Sequence, residues 1–128
     1  MNAKFTIAAR KKPGDPQAPT KYYAIAKSRG RVTVPELAER IGEISTVSSI
    51  DTSAVLEALL VVIPKELANG NIVELGDFGS FSLRISSEGS ETPEQVTAHN
   101  ITKVRPRFNP GKRLKKMVKD ISFEKSSG

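Results

Sequence analysis

The segment from Ile101 to Lys119, ITKVRPRFNPGKRLKKMVK, carries eight positive charges and no negative one. If its first half is extended, alternation puts Lys103, Arg105 and Arg107 on one face, with Thr102, Val104, Pro106 and Phe108 on the other. Cations on that face would recur about every 6.6 Å, two residues at roughly 3.3 Å each, a spacing suited to following a phosphate backbone. The chemistry is therefore that of a polyanion grip rather than of catalysis. The competing account is a solvated basic face.

In the second half the sequence predicts a helix. Asn109 can cap it, Pro110 fits the first helical position, and Leu114, Met117, Val118 and Ile121 recur at helical spacing. Lys112, Arg113, Lys115, Lys116 and Lys119 are left for solvent or a partner. Free backbone N–H groups at the helix start would suit a phosphate, and Lys112 beside them adds full charge. The candidate nucleic-acid-contacting set is thus Lys103, Arg105, Arg107, Asn109, Pro110, Gly111, Lys112, Arg113, Lys115 and Lys116.

Charge elsewhere is segregated. Of the net +6, residues 1–35 contribute eight positive and one negative charge, and residues 100–128 contribute nine and two. Residues 36–70 carry two against six, and residues 71–99 one against five. Basic ends around an acidic centre point to an oriented contact with a polyanion, because uniform charge would serve solubility equally well. At 128 residues the chain makes one domain with a modest core, to which a partner subunit could add. The absence of cysteine excludes disulfides and thiolate metal sites. No apolar run approaches the roughly 18 residues of a membrane span and no secretory signal is evident, so a soluble cytoplasmic protein is expected.

Those sites must be positioned by the elements before them. Lys4–Lys11 and Lys21–Lys27 read as two strands joined by the proline-rich stretch KPGDPQAPT, and the lysines and arginines of these strands could guard a sheet edge or touch DNA. Thr33 and Glu36 form a capping box for a first helix with Leu37, Ile41 and Ile44 as its apolar stripe, ending near Thr46. A second helix, roughly Ser49 to Ala68, starts at Ser48 with Asp51 and contains AVLEALLVVI, which is apolar almost all round. That favours intertwined dimerisation through residues such as Leu56, Leu59, Leu60 and Ile63, although a place between the first helix and a sheet would also bury it. Pro64 should kink this helix and Gly70 should end it. Ile72–Leu75 reads as a strand, Gly76-Asp77 as a tight turn, and Phe78–Ile85 as a strand with Phe81, Leu83 and Ile85 on one face. Gly79, between Phe78 and Phe81, suggests close backbone packing. Residues 86–95, without a large apolar side chain, should form a mobile projecting tip.

Two motifs in this order carry a family resemblance. GDFGSF at Gly76–Phe81 and RFNPGK at Arg107–Lys112 resemble the paired signatures of the HU and integration host factor family of bacterial histone-like DNA-binding proteins. The resemblance covers residues 33–121, roughly 70% of the chain. It implies an α+β fold: an intertwined helical body with an antiparallel sheet, a projecting β-arm at about 84–104, and a C-terminal helix. Phe78, Phe81 and Phe108 would join the dimer core, Lys112 would face phosphates, and Pro93 would sit at the arm tip as a candidate wedge. The partners implied are double-stranded DNA and a second copy of the chain, with no cofactor, metal, membrane or small-molecule substrate.

The sequence departs from that family at two places. Glu88, Glu91 and Glu94 surround Pro93, where phosphates would be repelled and a simple turn residue would serve as well. Residues 1–32 are an extra β extension, most like that of larger HU-like proteins of the Bacteroidetes type, and residues 122–128 would be a tail. The leading expectation is a nucleoid-associated protein that binds DNA with little sequence preference and can bend it. The alternative is a structural or protein-interaction module on the same fold. An enzyme is not expected: His99 is the only histidine, and Glu36 and Asp51 are accounted for as caps.

Overall fold

The structure, a computed structural model, describes residues 2–126. Two compact units divide it, one formed by residues 1–33 with 117–128, the other by residues 34–116.

The first unit is a three-stranded sheet. Strands β1 (Asn2–Arg10) and β2 (Lys21–Lys27) pair antiparallel, with Lys4 opposite Lys27 and Arg10 opposite Lys21. Their alternating, β-branched and aromatic residues suit a pleated strand. Between them the proline-rich stretch turns tightly, the Asp15 amide donating to the Lys12 carbonyl at 3.2 Å. The predicted strand pair is present, and part of the segment expected as a C-terminal tail is a strand as well. Ser122–Lys125 form a strand that pairs in parallel with β1, giving the order β2-β1-β6 once that strand takes its number in the chain. A contact between segments so distant in sequence carries no local signal. Met1, Ser127 and Gly128, within the predicted extension and tail, lie outside the described residues.

The second unit opens with α1 (Val34–Ile44) and α2 (Ser49–Ala68). Ser48 caps α2 as expected, its hydroxyl accepting from the Asp51 amide at 3.1 Å. The helix continues as one element through Pro64, whose missing N–H leaves the Leu60 carbonyl without its usual donor. Gly70, at φ +85°, closes it with its amide on the Leu67 carbonyl. Among the described residues, the only buried apolar side chains are Ala38 and Leu67. Along α2, Val55 is 65% exposed and Leu60 54%, while Leu56, Leu59 and Ile63 are half-buried. Packing against α1 and the neighbouring strands therefore does not cover this helix.

A second sheet, order β3-β4-β5, follows: β3 (Val73–Glu74), β4 (Gly79–Ser87) and β5 (Ile101–Pro110). The tight turn read at Gly76-Asp77 is a 3₁₀ turn over Gly76–Phe78, entered by Gly76 at φ +55°. The β4–β5 ribbon runs from Gly79 opposite Pro110 to Ser87 opposite Ile101, with a bulge near its end. Its tip, expected as a mobile projecting segment over residues 86–95, holds local structure. Pro93–Gln95 and Ala98–Asn100 form two 3₁₀ turns, and Asn100 ties the second of them to the segment that leaves β4. Its amide donates to the Glu88 carbonyl at 3.1 Å and the Ser90 hydroxyl at 2.9 Å, while its carbonyl accepts from the Thr97 amide at 2.9 Å. Polar side chains thus supply locally the order that a hydrophobic core could not.

The last helix, α3 (Lys112–Lys119), begins two residues later than predicted. Asn109 does not cap it and Pro110 is not its first residue, because both remain in the ladder opposite Ser80 and Gly79. Gly111 takes the capping position instead, its carbonyl accepting from the Lys115 amide at 3.0 Å. Proline without an N–H is tolerated where a strand ends, so the ladder outcompetes the helix at this point.

Candidate nucleic-acid interface

Strand pairing decides which cations share a surface. Opposite residues in an antiparallel ladder point the same way, and here Ser82 faces Arg107, Arg84 faces Arg105, and Ser86 faces Lys103. One ribbon face therefore presents Lys103, Arg105, Arg107 and Arg84 among serines, with Asn109 continuing it beside Ser80. The β4 and β5 residues on that face include no carboxylate, and the sheet's one acid there is Glu74 of β3, opposite Ser80 at the base of the ribbon. Every residue of β5 is exposed. Arg105 donates to the Ser86 hydroxyl at 3.0 Å, a neutral acceptor that orients the guanidinium without neutralising it.

Arg84 was absent from the predicted set, although the alternation Leu83-Arg84-Ile85 carried the signal. It directly opposes Arg105, a like-charge pair that costs stability and is relieved by an anion between the two guanidiniums. The other face carries Phe81, Leu83 and Ile85 against Phe108, Pro106 and Val104, as the sequence alternation required. The Phe108 ring lies 5.0 Å from that of Phe81 and 5.8 Å from that of Phe78, both tilted. None of the three phenylalanines is buried in the single chain.

The two signature motifs meet in space. The Gly111 amide donates to the Phe78 carbonyl at 2.8 Å. A Cβ on Gly111 would strike the Asp77 carbonyl oxygen, and one on Gly79 would lie 2.6 Å from the Phe108 ring. Glycine is needed at both positions because backbone from one motif occupies the side-chain space of the other. This junction fixes where β5 ends and α3 starts, and so joins the ribbon's cations to those of the helix.

In α3, Lys112, Arg113, Lys115, Lys116 and Lys119 are exposed; of the predicted apolar stripe Leu114 is half-buried, whereas Met117 and Val118 are exposed in the single chain. Glycine at the cap position has no side chain to occupy the first-turn N–H groups, which remain open to an anion. Pro93 starts the 3₁₀ turn of the tip, its carbonyl accepting from the Val96 amide at 3.2 Å, in the company of Glu91 and Glu94. The structure thus puts Lys103, Arg105, Arg107 and Asn109 on one ribbon face, starts the basic helix α3 directly after the ribbon's base, and sets Pro93 apart at the ribbon's tip.

A helical pair carrying a three-stranded sheet with an extended ribbon, and a basic helix at the ribbon's base, is an HU/IHF-type fold. Comparison with known proteins agrees: the family described as HU domain fused to wHTH, Ig, or glycine-rich motif, HU-HIG, matches residues 1–125. The chain belongs to this family. It is 31% identical to the DNA-binding protein HU of Thermus thermophilus over 94 residues, covering 69% of this chain and 93% of that one. It is 33% identical to the integration host factor subunit alpha of Vibrio cholerae over 102 residues, 73% of this chain and 98% of that one. Among solved structures, an Anabaena HU–DNA cocrystal matches with a TM-score of 0.54 and 26% identity, covering 69% of this chain and 98% of that one. A Bacteroides vulgatus protein, solved as a candidate DNA-binding protein, matches with a TM-score of 0.67 at 12% identity. That match covers 97% of this chain but 47% of the other, and shows likeness of fold alone.

Proposed function

We propose that this chain is an architectural, nucleoid-associated DNA-binding protein that acts as a homodimer and contacts duplex phosphates with little regard to sequence. The observation that carries the reading is the cationic ribbon face of Arg84, Lys103, Arg105 and Arg107, which the Gly111–Phe78 junction links to the start of the basic helix α3. Cations on a strand face meet phosphates without reaching base edges, which gives affinity and register but not sequence discrimination. HU and integration host factor relatives, and a neighbour crystallised with DNA, support the same reading.

The grip is assigned to the base of the arm. Glu88, Glu91 and Glu94 would repel phosphate at the tip, so Pro93 acts there as a turn former and not as an intercalating wedge. Dimerisation is supported by the uncovered apolar length of α2 and by a core of two buried apolar side chains. Two buried side chains are a small return for ordering a backbone at about 1–2 kcal/mol per residue. A second copy supplying the same helix would make up the difference. The proposed setting is the bacterial cytoplasm, where the nucleoid lies.

The test is binding of the full chain to a 30-base-pair duplex across a salt series, run beside size exclusion of the free protein. Neutralising about six phosphates gives a slope of log K against log salt near −5. A flat response, or a monomer at every concentration, would refute the reading. The acidic tip favours one other reading, a protein-interaction module on the same fold, and that reading predicts no duplex binding at low salt.

A further inference from the structure

We infer that the N-terminal sheet carries a second nucleic-acid-backbone site, formed where Lys4 opposes Lys27 and Arg10 opposes Lys21 on one face of the β1–β2 ladder. This rests on the DNA-binding reading of the chain and extends it to a unit outside the HU/IHF-like body.

The register sorts the sheet's residues by face. Lys4, Thr6, Ala8 and Arg10 of β1 share a face with Lys27, Ile25, Tyr23 and Lys21 of β2. The opposite face holds Ala3, Phe5, Ile7 and Ala9 with Ala26, Ala24 and Tyr22 and has no charge from either strand. All four cations of the two strands therefore lie on a single face, and the only acid there comes from the third strand, Glu124 beside Lys4. A solvated face would mix signs, because neighbouring opposite charges stabilise a ladder and like charges directly opposite destabilise it. Here both ends of the ladder are like-charge pairs. Edge protection explains Lys21 and Lys27 on β2, but Lys4 sits on the central strand with a neighbour on each side.

Two clefts coincide with those pairs. The one at the β1–β2 loop, of 870 Å³, is lined by Arg10, Lys11, Lys12, Lys21 and Tyr23. The other, of 480 Å³, is lined by Lys4, Lys27 and Arg29 with Ser126, whose hydroxyl accepts from the Lys27 ammonium at 3.0 Å. Lys4 and Arg10 are six residues apart on one strand, about 20 Å, a length over which one strand of a duplex carries about six phosphates. Tyr23, 48% exposed, and Ile25 lie between the charged ends and offer an apolar surface to sugar or base. A phosphate between Arg10 and Lys21 removes a repulsion that the fold otherwise bears, whereas at the Lys4–Lys27 end Glu124 already offsets part of it.

Salt-series binding of the full chain tests this, with the 30-base-pair duplex and a 30-nucleotide single strand as the two probes. Arg10→Thr/Lys21→Thr keeps strand-forming residues and relieves one repulsive pair, so it should fold at least as well as the parent. Lys11→Ala/Lys12→Ala lies in the connecting loop and removes no ladder residue. Each double variant should make the slope of log K against log salt shallower by about 2 on duplex and about 1.4 on single strand. The probe that shows the shift identifies which form occupies the sheet. If both variants, folded by circular dichroism, keep the parent slope on both probes, the second site does not exist. Lys112→Ala/Arg113→Ala separates this from the reading of the body: a slope lost only in that variant sinks the sheet site alone. A slope lost only in the sheet and loop variants upholds the sheet site and removes the body's. Absence of binding by the parent chain to either probe overturns both.

Discussion

The Gly111 amide donates to the Phe78 carbonyl across 2.8 Å, so the end of β5 and the start of the basic helix are anchored to the turn that precedes the ribbon. A side chain at either glycine of this junction would displace backbone or an aromatic ring. Gly79→Ala and Gly111→Ala are each expected to destabilise the fold by roughly 1–3 kcal/mol, the range for forcing atoms into a packed site. Gly89, with open space around a Cβ, is the control, and Gly89→Ala should leave the urea midpoint unchanged. Equal midpoints for all three variants would show that the junction is not tight.

Arg84 faces Arg105 across the ladder, and its two contributions have opposite signs. Arg84→Ser should leave stability equal or slightly higher, because a like-charge pair is removed. The same change should weaken duplex binding and make the salt slope shallower by about 0.9, the loss of one phosphate contact. Denaturation and salt-series titration on one sample check both.

The acidic tip should limit affinity at low ionic strength. Glu88→Gln, Glu91→Gln and Glu94→Gln together are expected to tighten duplex binding several-fold in dilute salt. The gain should fade near 1 M, where the screening length falls to about 3 Å. An unchanged affinity would place the tip away from the DNA, whereas weaker binding would mean that it makes a favourable contact.

Leu60, 54% exposed in the single chain, lies on the uncovered surface of α2. Leu60→Asp would put a charge in the proposed dimer interface and should yield monomers with reduced helical circular dichroism. Size exclusion with light scattering reads the assembly. A variant that stays dimeric and fully helical would place the interface elsewhere.

The segment from Thr33 to Phe81 was legible in the sequence because its signals are local. Ser48 capping α2, Gly70 ending it, and the alternation of Phe81, Leu83 and Ile85 each depend on residues a few positions apart. The same holds for the cationic face of β5, since the side-chain period of a strand is two. The motifs GDFGSF and RFNPGK pointed to the family, but their physical link, glycine yielding space to the other motif's backbone, required coordinates.

Tertiary pairing settled the rest. Whether Asn109 and Pro110 end a strand or begin a helix depended on Ser80 and Gly79 being available across the ladder. Arg84 became part of the site only when register set it against Arg105, and Ser122–Lys125 became a strand only because β1 offered a free edge. Residue types and local periodicity fix which charges can share a face. Which strands lie side by side is decided by contacts distant in sequence, whose partners no local pattern names.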